Sequence, residues 1–110
     1  MNNFTIKVNE GDFLWKKGDT PEYALMVYRG VLEVIYDNED FEEDEDNTDE
    51  FSQGVFISET QAMLENTKCK MTVKAATDCH LFIVHKADYL RFLSNNPKLS
   101  MSLCLTSIVE

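Results

Sequence analysis

The amino-acid sequence predicts a mainly-β domain of the sandwich, barrel or jelly-roll class. Two observations carry this prediction: short stretches of β-forming residues recur with turn residues between them, and helical periodicity is confined to a central stretch and the C-terminal part. A chain of 110 residues is long enough for one hydrophobic core and too short for two. We therefore treat residues 1–110 as a single domain.

The first two predicted strands lie near the N terminus. Phe4, Ile6 and Val8 alternate with polar residues, which is typical of a half-buried strand. The turn at residues 10–12 then leads to a short apolar strand at Phe13–Trp15.

A longer apolar run extends from Tyr23 to Tyr36, after a turn at residues 16–21. Its β-forming residues lie on both sides of Arg29 and Gly30, and a glycine permits the tight bend that joins two antiparallel strands. We therefore predict two strands in this run.

An acidic segment, Asp37–Glu50, accounts for the net charge of −10. It holds ten acidic residues and no basic ones, which leaves ten acidic against ten basic residues in the rest of the chain. We expect a long solvated loop here, inserted between two strands. A calcium-binding EF-hand loop is excluded because its sharp turn needs a glycine and the segment has none. The remainder lacks the clustered lysines and arginines that a nucleic-acid partner requires.

The stretch from Gly54 to Ala75 is where we place any small-molecule site. It contains a polar turn, a short predicted helix at Thr60–Leu64 and a predicted strand at Met71–Ala75. A turn followed by a helix start offers free backbone N–H groups to an anion. A further strand is predicted at His80–His85.

The C-terminal segment, residues 86–110, is predicted to be helical. Tyr89, Phe92 and Leu93 have the spacing of one helix face, and Asn96 and Pro97 are suited to begin a second helical segment. An apolar stripe then continues to the last residues, formed by Met101, Cys104, Leu105 and Ile108. Because the chain stops inside this stripe, we expect the segment to continue in a longer protein.

Several function classes are excluded by what the sequence lacks. It has neither an apolar run of 18 residues nor a signal peptide, so we expect a cytoplasmic location without membrane insertion. The three cysteines are odd in number and widely spaced, as expected for reduced thiols. His80 and His85 differ by five positions and lie on opposite strand faces, so they cannot share a metal ion. No nucleophile is placed with a histidine by a known motif, so we expect neither an enzyme nor a cofactor.

The order of strands and turns resembles one known family. The stretch EGDFLWKKGDTPEYALMVYRGVLEV is similar to the opening strands of the cyclic nucleotide-binding domain, found in catabolite activators and kinase regulatory subunits. Gly11, Gly18, Gly30 and Gly54 fall where the family pattern has glycines, and the pair Asp88-Tyr89 also matches. The resemblance implies an eight-stranded double-stranded β-helix, a jelly-roll-like β-roll, with a short cassette helix and a C-terminal helix.

The family binds its ligand through a phosphate-binding cassette, and this chain departs from it. The cassette reads Phe-Gly-Glu, a short helix, then an arginine, small residues and a threonine. Here Phe-Gly-Glu becomes Ile57-Ser58-Glu59, and a cysteine takes the place of the arginine. The resemblance implies a degenerate cassette, whose candidate ligand-binding residues are Ser58, Glu59, Thr60, Lys68, Cys69, Lys70, Met71 and Thr72.

These substitutions predict weak or lost binding of cAMP and cGMP. The family's arginine forms charge-assisted bonds to the phosphate, so its loss at Cys69 should weaken binding about 10- to 100-fold. Ser58 adds a Cβ, and the long Met71 would project toward the phosphate position. Lys68 or Lys70 can supply charge but not the fork of a guanidinium. Alternatively, Glu59 supports the short helix through its dipole, and Cys69 is either a reactive or a plain thiol.

Two functional hypotheses follow. In the first, the chain is a non-catalytic regulatory domain in which a cyclic nucleotide orders Ser58–Thr72 and shifts the helix after Pro97. In the second, the pocket is vestigial and the domain acts as a protein interaction module. The acidic loop and the C-terminal helix would then contact a neighbouring domain or partner protein.

Overall fold

The computed structural model describes residues 4–36, 48–96, 98 and 108–109. Within these residues the chain forms mostly short strands, with one helix between the sixth and seventh strands and another after the eighth. In chain order the elements are β1 (Phe4–Val8), β2 (Phe13–Trp15), β3 (Tyr23–Arg29), β4 (Leu32–Tyr36), β5 (Thr48–Phe51), β6 (Phe56–Ile57), α1 (Thr60–Glu65), β7 (Met71–Ala75), β8 (Cys79–His85), α2 (Lys86–Asn95) and β9 (Ile108–Val109).

The strands form two antiparallel sheets. The first has the order β1-β8-β3-β6-β9 and the second the order β2-β7-β4-β5. In β7 and β8 every second side chain is buried, which is the pattern of strands with one face on a core. One core cluster combines residues of both sheets, among them Leu25, Leu81, Val34 and Val73, so the sheets pack face to face. The predicted mainly-β roll is confirmed.

The two helices cover the outer face of the first sheet. Met63 of α1 and Tyr89 and Leu93 of α2 form a second buried cluster with Ala24 of β3. Both helices are therefore held against the first sheet by apolar contacts. No helix in the described part of the chain is long and apolar enough to cross a membrane.

The glycines at the predicted bends have backbone conformations that favour glycine. All four have positive φ angles, between 90° and 98°. At Gly30, between β3 and β4, a Cβ atom would lie 2.5 Å from the carbonyl oxygen of Asp78 and 2.7 Å from the sulfur of Cys79. This bend therefore needs glycine both for its conformation and for its space.

Two predictions about the loop and the C-terminal segment are wrong in part. Residues 48–50 of the predicted acidic loop belong to β5, because they pair in register with β4; residues 37–47 lie outside the described part. Ile108, predicted on a helical stripe, lies in β9 and pairs with Ile57. The other stripe residues, Met101, Cys104 and Leu105, lie outside the described residues, as does Pro97.

Asn96 ends the helix α2, and the segment that it is predicted to begin lies mostly outside the described residues. It is the C-terminal cap of α2, and its side-chain amide donates a hydrogen bond to the carbonyl oxygen of Phe92 at 2.8 Å. This contact satisfies one of the carbonyl groups that the end of a helix leaves unpaired.

Candidate functional site

The cassette residues are brought together by a sharp turn after α1. Asn66 caps the C-terminal end of this helix in the left-handed conformation, with φ of 56° and ψ of 40°. Such a cap reverses the chain direction at low steric cost for asparagine. Residues before α1 therefore lie beside those that begin β7.

The carboxylate of Glu59 joins the two ends of the cassette. One of its oxygens, Oε2, accepts hydrogen bonds from the backbone N–H groups of Lys70, at 2.9 Å, and Met71, at 2.7 Å. The side chain is buried, with 6% of its surface exposed. These two bonds tie the start of α1 to the start of β7.

The pKa of the Glu59 carboxyl is raised from its ordinary value, because burial disfavours the charged form. The N–H groups of Met71 and Lys70, and the charge of the Lys70 side chain, offset part of this effect. The buried indole N–H of Trp15 lowers the pKa as well, although it has no partner at hydrogen-bond distance among the described residues. The carboxylate therefore lies in an environment that only partly compensates its charge.

The helix-dipole alternative for Glu59 stays a prediction, because a carboxylate at a helix N terminus can act on the dipole without a hydrogen bond. Glu59 occupies the N-cap position, but its side chain makes no capping hydrogen bond. Its carboxylate is committed to the backbone of β7 instead. Its main structural contribution is to close the cassette.

Ser58 and Thr60 are both fully buried. The Thr60 hydroxyl donates to the Ser58 hydroxyl at 3.1 Å and lies 2.8 Å from the hydroxyl of Tyr89 in α2. These contacts connect the cassette to α2 through a short chain of hydroxyl groups. Ligand contact by Ser58 and Thr60 stays a prediction. It would require the buried hydrogen bonds of these two hydroxyl groups to rearrange.

Cys69 is a buried, neutral thiol. Its backbone N–H donates to the carbonyl of Asp19 and its carbonyl accepts from the N–H of Gly18, each at 2.8 Å. Burial, followed by the charges of Glu59 and Asp19, raises the pKa of the thiol to about 12. The reactive-thiol alternative is therefore wrong, because the thiolate is the nucleophilic form.

The remaining predicted residues are distributed between surface and core. Lys68 is exposed and donates from Nζ to the hydroxyl of Thr20 at 3.0 Å, and Lys70 is exposed as well. Met71, expected to project toward a ligand, lies in the core cluster with 7% of its surface exposed. The Thr72 hydroxyl accepts the backbone N–H of Lys17 at 3.0 Å.

A small cavity of about 80 Å³ opens beside Glu59 and Cys69. Its lining also includes Trp15, Asp19 and Glu22, so three acidic residues line it. No lysine or arginine of the described residues lines this cavity. Its charge therefore disfavours an anionic group.

Sequence reasoning missed the contribution of the β2–β3 region to this cavity. Tyr23 donates from its hydroxyl to the carbonyl of Leu14 at 2.6 Å and packs edge-on against Trp15, with ring centroids 5.5 Å apart. Burial, followed by the negative charge of Glu22, raises the pKa of Tyr23 to about 12. The available signal is the acidic and aromatic character of the stretch DTPEY, where the turn at residues 16–21 meets the strand that begins at Tyr23.

Comparison with known proteins identifies the family. The family model described as "Cyclic nucleotide-binding domain" matches residues 5–96. The chain belongs to the cyclic nucleotide-binding domain family. The match covers the cassette and both helices, and it confirms the resemblance found in the sequence.

Individual relatives of this cyclic nucleotide-binding domain come from larger proteins. The chain is 29% identical over 105 residues to the cGMP-dependent 3',5'-cGMP phosphodiesterase A of Dictyostelium discoideum; the match covers 94% of this chain and 11% of that protein. The chain therefore spans about a tenth of that relative's length.

Solved structures of similar fold confirm the architecture. The regulatory subunit of a cAMP-independent protein kinase A from Trypanosoma brucei has a TM-score of 0.76 at 17% identity, over 94% of this chain and 37% of that one. The EAL enzyme Bd1971 in its cGMP-bound form has a TM-score of 0.73 at 20% identity, over 91% of this chain and 26% of that one. At these identities the likeness establishes the fold alone.

Proposed function

We propose that this chain is a non-catalytic regulatory domain with weak or lost binding of cAMP and cGMP. The observation that carries the proposal is the engagement of Glu59 with the backbone of Lys70 and Met71. In the family this glutamate accepts the ribose hydroxyl of the ligand. A ribose hydroxyl would have to compete here with two hydrogen bonds that close the cassette.

The charges around the cassette support the same conclusion. The position of the family arginine holds Cys69, a neutral thiol. The neighbouring cavity is lined by Asp19, Glu22 and Glu59. A cyclic phosphate carries a negative charge, and like charges at short distance repel unless a cation intervenes. The two nearby lysines are exposed, and Lys68 already bonds to Thr20.

The size of the cavity also argues for weak binding. Its volume of about 80 Å³ is small beside the roughly 300–1,000 Å³ that pockets for small organic ligands usually provide. A nucleotide would therefore enter only if the cassette moved. Such a movement would break the contact of Thr60 with Tyr89 and so change how α2 is held.

The relatives support a regulatory role and do not decide between ligands. The phosphodiesterase relative is described as cGMP-dependent, and the EAL enzyme has been solved with cGMP bound. In contrast, the kinase regulatory subunit belongs to a cAMP-independent kinase. A domain of this fold is thus compatible with a regulatory role with or without a nucleotide.

Calorimetric titration of the purified chain with cAMP and cGMP tests the proposal. We expect no saturable heat at micromolar nucleotide. Binding at millimolar nucleotide that also raises the melting temperature would agree with a weak regulatory site. Saturation at nanomolar or low micromolar nucleotide would overturn the proposed weakness.

The second candidate function is a protein interaction module, and two exposed apolar side chains favour it. Leu64 of α1 and Phe92 of α2 are 45% and 44% exposed. Exposed apolar residues mark a contact surface where they form one contiguous patch, and we propose that these two side chains belong to such a patch. Replacing both with serine should abolish capture of a partner if the helices contact it. To test the acidic segment separately, the deletion should span residues 37–47, because Thr48–Phe51 forms β5.

A further inference from the structure

A second cleft, which shares no lining residue with the cassette, is lined by basic residues of the first sheet. Its volume is about 340 Å³, and Lys7 of β1, Arg29 of β3 and His80 of β8 line it, together with Asp78. Its volume falls within the range of small-molecule pockets. The function proposed above makes no use of it.

The strand register explains why the three basic side chains meet. Lys7 pairs with His80 across β1 and β8, and His80 pairs with Arg29 across β8 and β3. Directly paired residues of antiparallel strands project on the same face, about 4.5–5.5 Å apart at their Cβ atoms. A bulge between Val27 and Arg29 shifts the register of β3 and brings Arg29 into this row. The side chains of Lys7 and Arg29 are long enough to reach one ligand group between them.

The basic groups of this row are available for a ligand. Lys7 and Arg29 are exposed, His80 is half-buried, and none of the three forms an ion pair with a described residue. The Arg29 guanidinium lies 5.6 Å from the ring centre of Tyr28, so an aromatic contact holds it without neutralising it.

One carboxylate contributes to the same cleft. Asp78 accepts the backbone N–H of Glu10 on its oxygen Oδ1 at 2.8 Å, which fixes the side chain at the edge of the cleft. A carboxylate has a second oxygen that can accept a hydrogen bond from a ligand. The cleft therefore combines two cations and a histidine with one fixed acceptor.

We propose that this cleft binds a phosphate monoester that also carries a hydroxyl group, such as a sugar phosphate. Lys7, Arg29 and His80 hold the phosphate, since a guanidinium grips two oxygens and an ammonium adds a point charge. Asp78 accepts the hydroxyl. A ligand with carboxylates alone would satisfy the cations and leave the second oxygen of Asp78 facing a negative charge.

NMR titration of the 110-residue chain, with ionic strength held constant by chloride, tests this proposal. The probes are inorganic phosphate, a sugar phosphate and a polyglutamate peptide. We expect saturable amide shifts at Lys7, Arg29 and His80 with both phosphates, tighter binding of the sugar phosphate, and no saturation with the peptide. Shifts confined to Lys70 and Met71, or saturation by the peptide alone, would overturn the proposal.

A matched pair of variants sharpens the test. Arg29→Ala should weaken phosphate binding about 10- to 100-fold, as expected for the loss of charge-assisted hydrogen bonds. Arg91→Ala removes the same charge from an exposed helix position and should change nothing. Equal weakening of phosphate binding in both variants would mean that only the overall charge of the chain matters. That result would overturn the proposed site.

Asp78→Asn tests the hydroxyl contact. Asparagine keeps an acceptor for the Glu10 N–H but removes the negative charge. The variant should bind inorganic phosphate more tightly and lose most of the preference for the sugar phosphate. An unchanged preference would overturn the assignment of Asp78, and identical affinities of the two phosphates in the unsubstituted chain would do the same.

Discussion

The carboxylate of Glu59 accepts the backbone N–H of Met71 at 2.7 Å, and this contact closes the cassette across a separation of twelve residues. The resemblance to the family implies a ligand contact for this acidic group, whereas here it binds the backbone of the chain itself. Burial of the same carboxylate disfavours its charged form and so raises its pKa. Two substitutions of Glu59 can therefore test separately the hydrogen bonds that close the cassette and the effect of the carboxylate charge.

Glu59→Ala should destabilise the domain by about 1–3 kcal/mol, because it leaves the N–H groups of Lys70 and Met71 without their acceptor. Urea denaturation at neutral pH measures this loss. Glu65→Ala is the matched control, since Glu65 lies at an exposed position of α1. A Glu59→Ala variant as stable as the control would mean that the two hydrogen bonds contribute no net stability.

Glu59→Gln tests the pH dependence of the same group. A folded-state pKa above the ordinary value of 4.5 means that the folded chain binds the proton more tightly than the unfolded chain. The resulting stabilisation is complete below the unfolded pKa and is lost as the pH rises through the folded pKa. The stability of the unsubstituted chain relative to Glu59→Gln should therefore increase as the pH falls toward 4.5. A constant difference between pH 7 and pH 4.5 would contradict the raised pKa.

Cys69→Arg should restore part of the missing phosphate contact. A guanidinium at this position supplies the charge and the fork that the thiol lacks, and the gain in affinity for cAMP or cGMP should be about 10- to 100-fold. The substitution should also lower stability, because Cys69 is buried and a charged group is costly there.

Cys69→Ser is the control for this variant, since it changes the thiol without adding charge. Calorimetry should detect tighter binding in the arginine variant alone. If the arginine variant folds and binds no better than the serine variant, the arginine position of the family does not fall on Cys69 or the acidic cavity dominates.

Much of the fold could be predicted from local patterns. The alternation in Met71–Ala75 and in the strand that follows it reports directly which side chains face the core. The bend at Gly30 could be predicted because glycine marks a conformation that other residues adopt at a cost. Both features depend on neighbouring residues, which sequence patterns describe well.

The errors in the fold arose where distant strands decide the structure. Thr48–Glu50 looks like solvated loop by composition, yet it pairs with β4 and so gains a ladder of hydrogen bonds. Ile108 has helical spacing with its neighbours, yet it pairs with Ile57 across about fifty residues of chain. Pairing over such separations leaves no local signal.

The candidate site was located by the family pattern, but its contacts were not predictable. Glu59 can accept hydrogen bonds from β7 only because the turn at Asn66 brings the two segments together. The acidic cavity forms because Asp19 and Glu22, in the connection between β2 and β3, line the same space as Glu59. Burial of Met71 follows from its inward register in β7. Each of these depends on the packed arrangement of segments that are far apart in the sequence.

Gly30→Ala should be much more destabilising than Gly11→Ala. Both residues have positive φ, of 98° and 90°, so each alanine carries a backbone cost of about 1–2 kcal/mol. At Gly30 the added Cβ would also meet the backbone of Asp78 at 2.5 Å, whereas nothing lies within 4 Å at Gly11. Overpacking of this kind adds about 1–3 kcal/mol. Thermal unfolding of the two variants measures the difference, and equal losses would show that the bend relaxes to admit the Cβ.

Tyr89→Phe should loosen the connection between the cassette and α2. The Tyr89 hydroxyl lies 2.8 Å from that of Thr60, and both residues are buried. Its removal should cost about 0.5–1.5 kcal/mol, the net value of a typical hydrogen bond. A double-mutant cycle with Thr60→Val isolates the pair, because Thr60 also bonds to Ser58.

Hydrogen exchange of the Tyr89→Phe variant tests whether this pair of hydroxyl groups transmits movement of the cassette to α2. If it does, the substitution increases amide exchange in both Thr60–Glu65 and Lys86–Asn95. Faster exchange in one helix alone would mean that the two helices move independently.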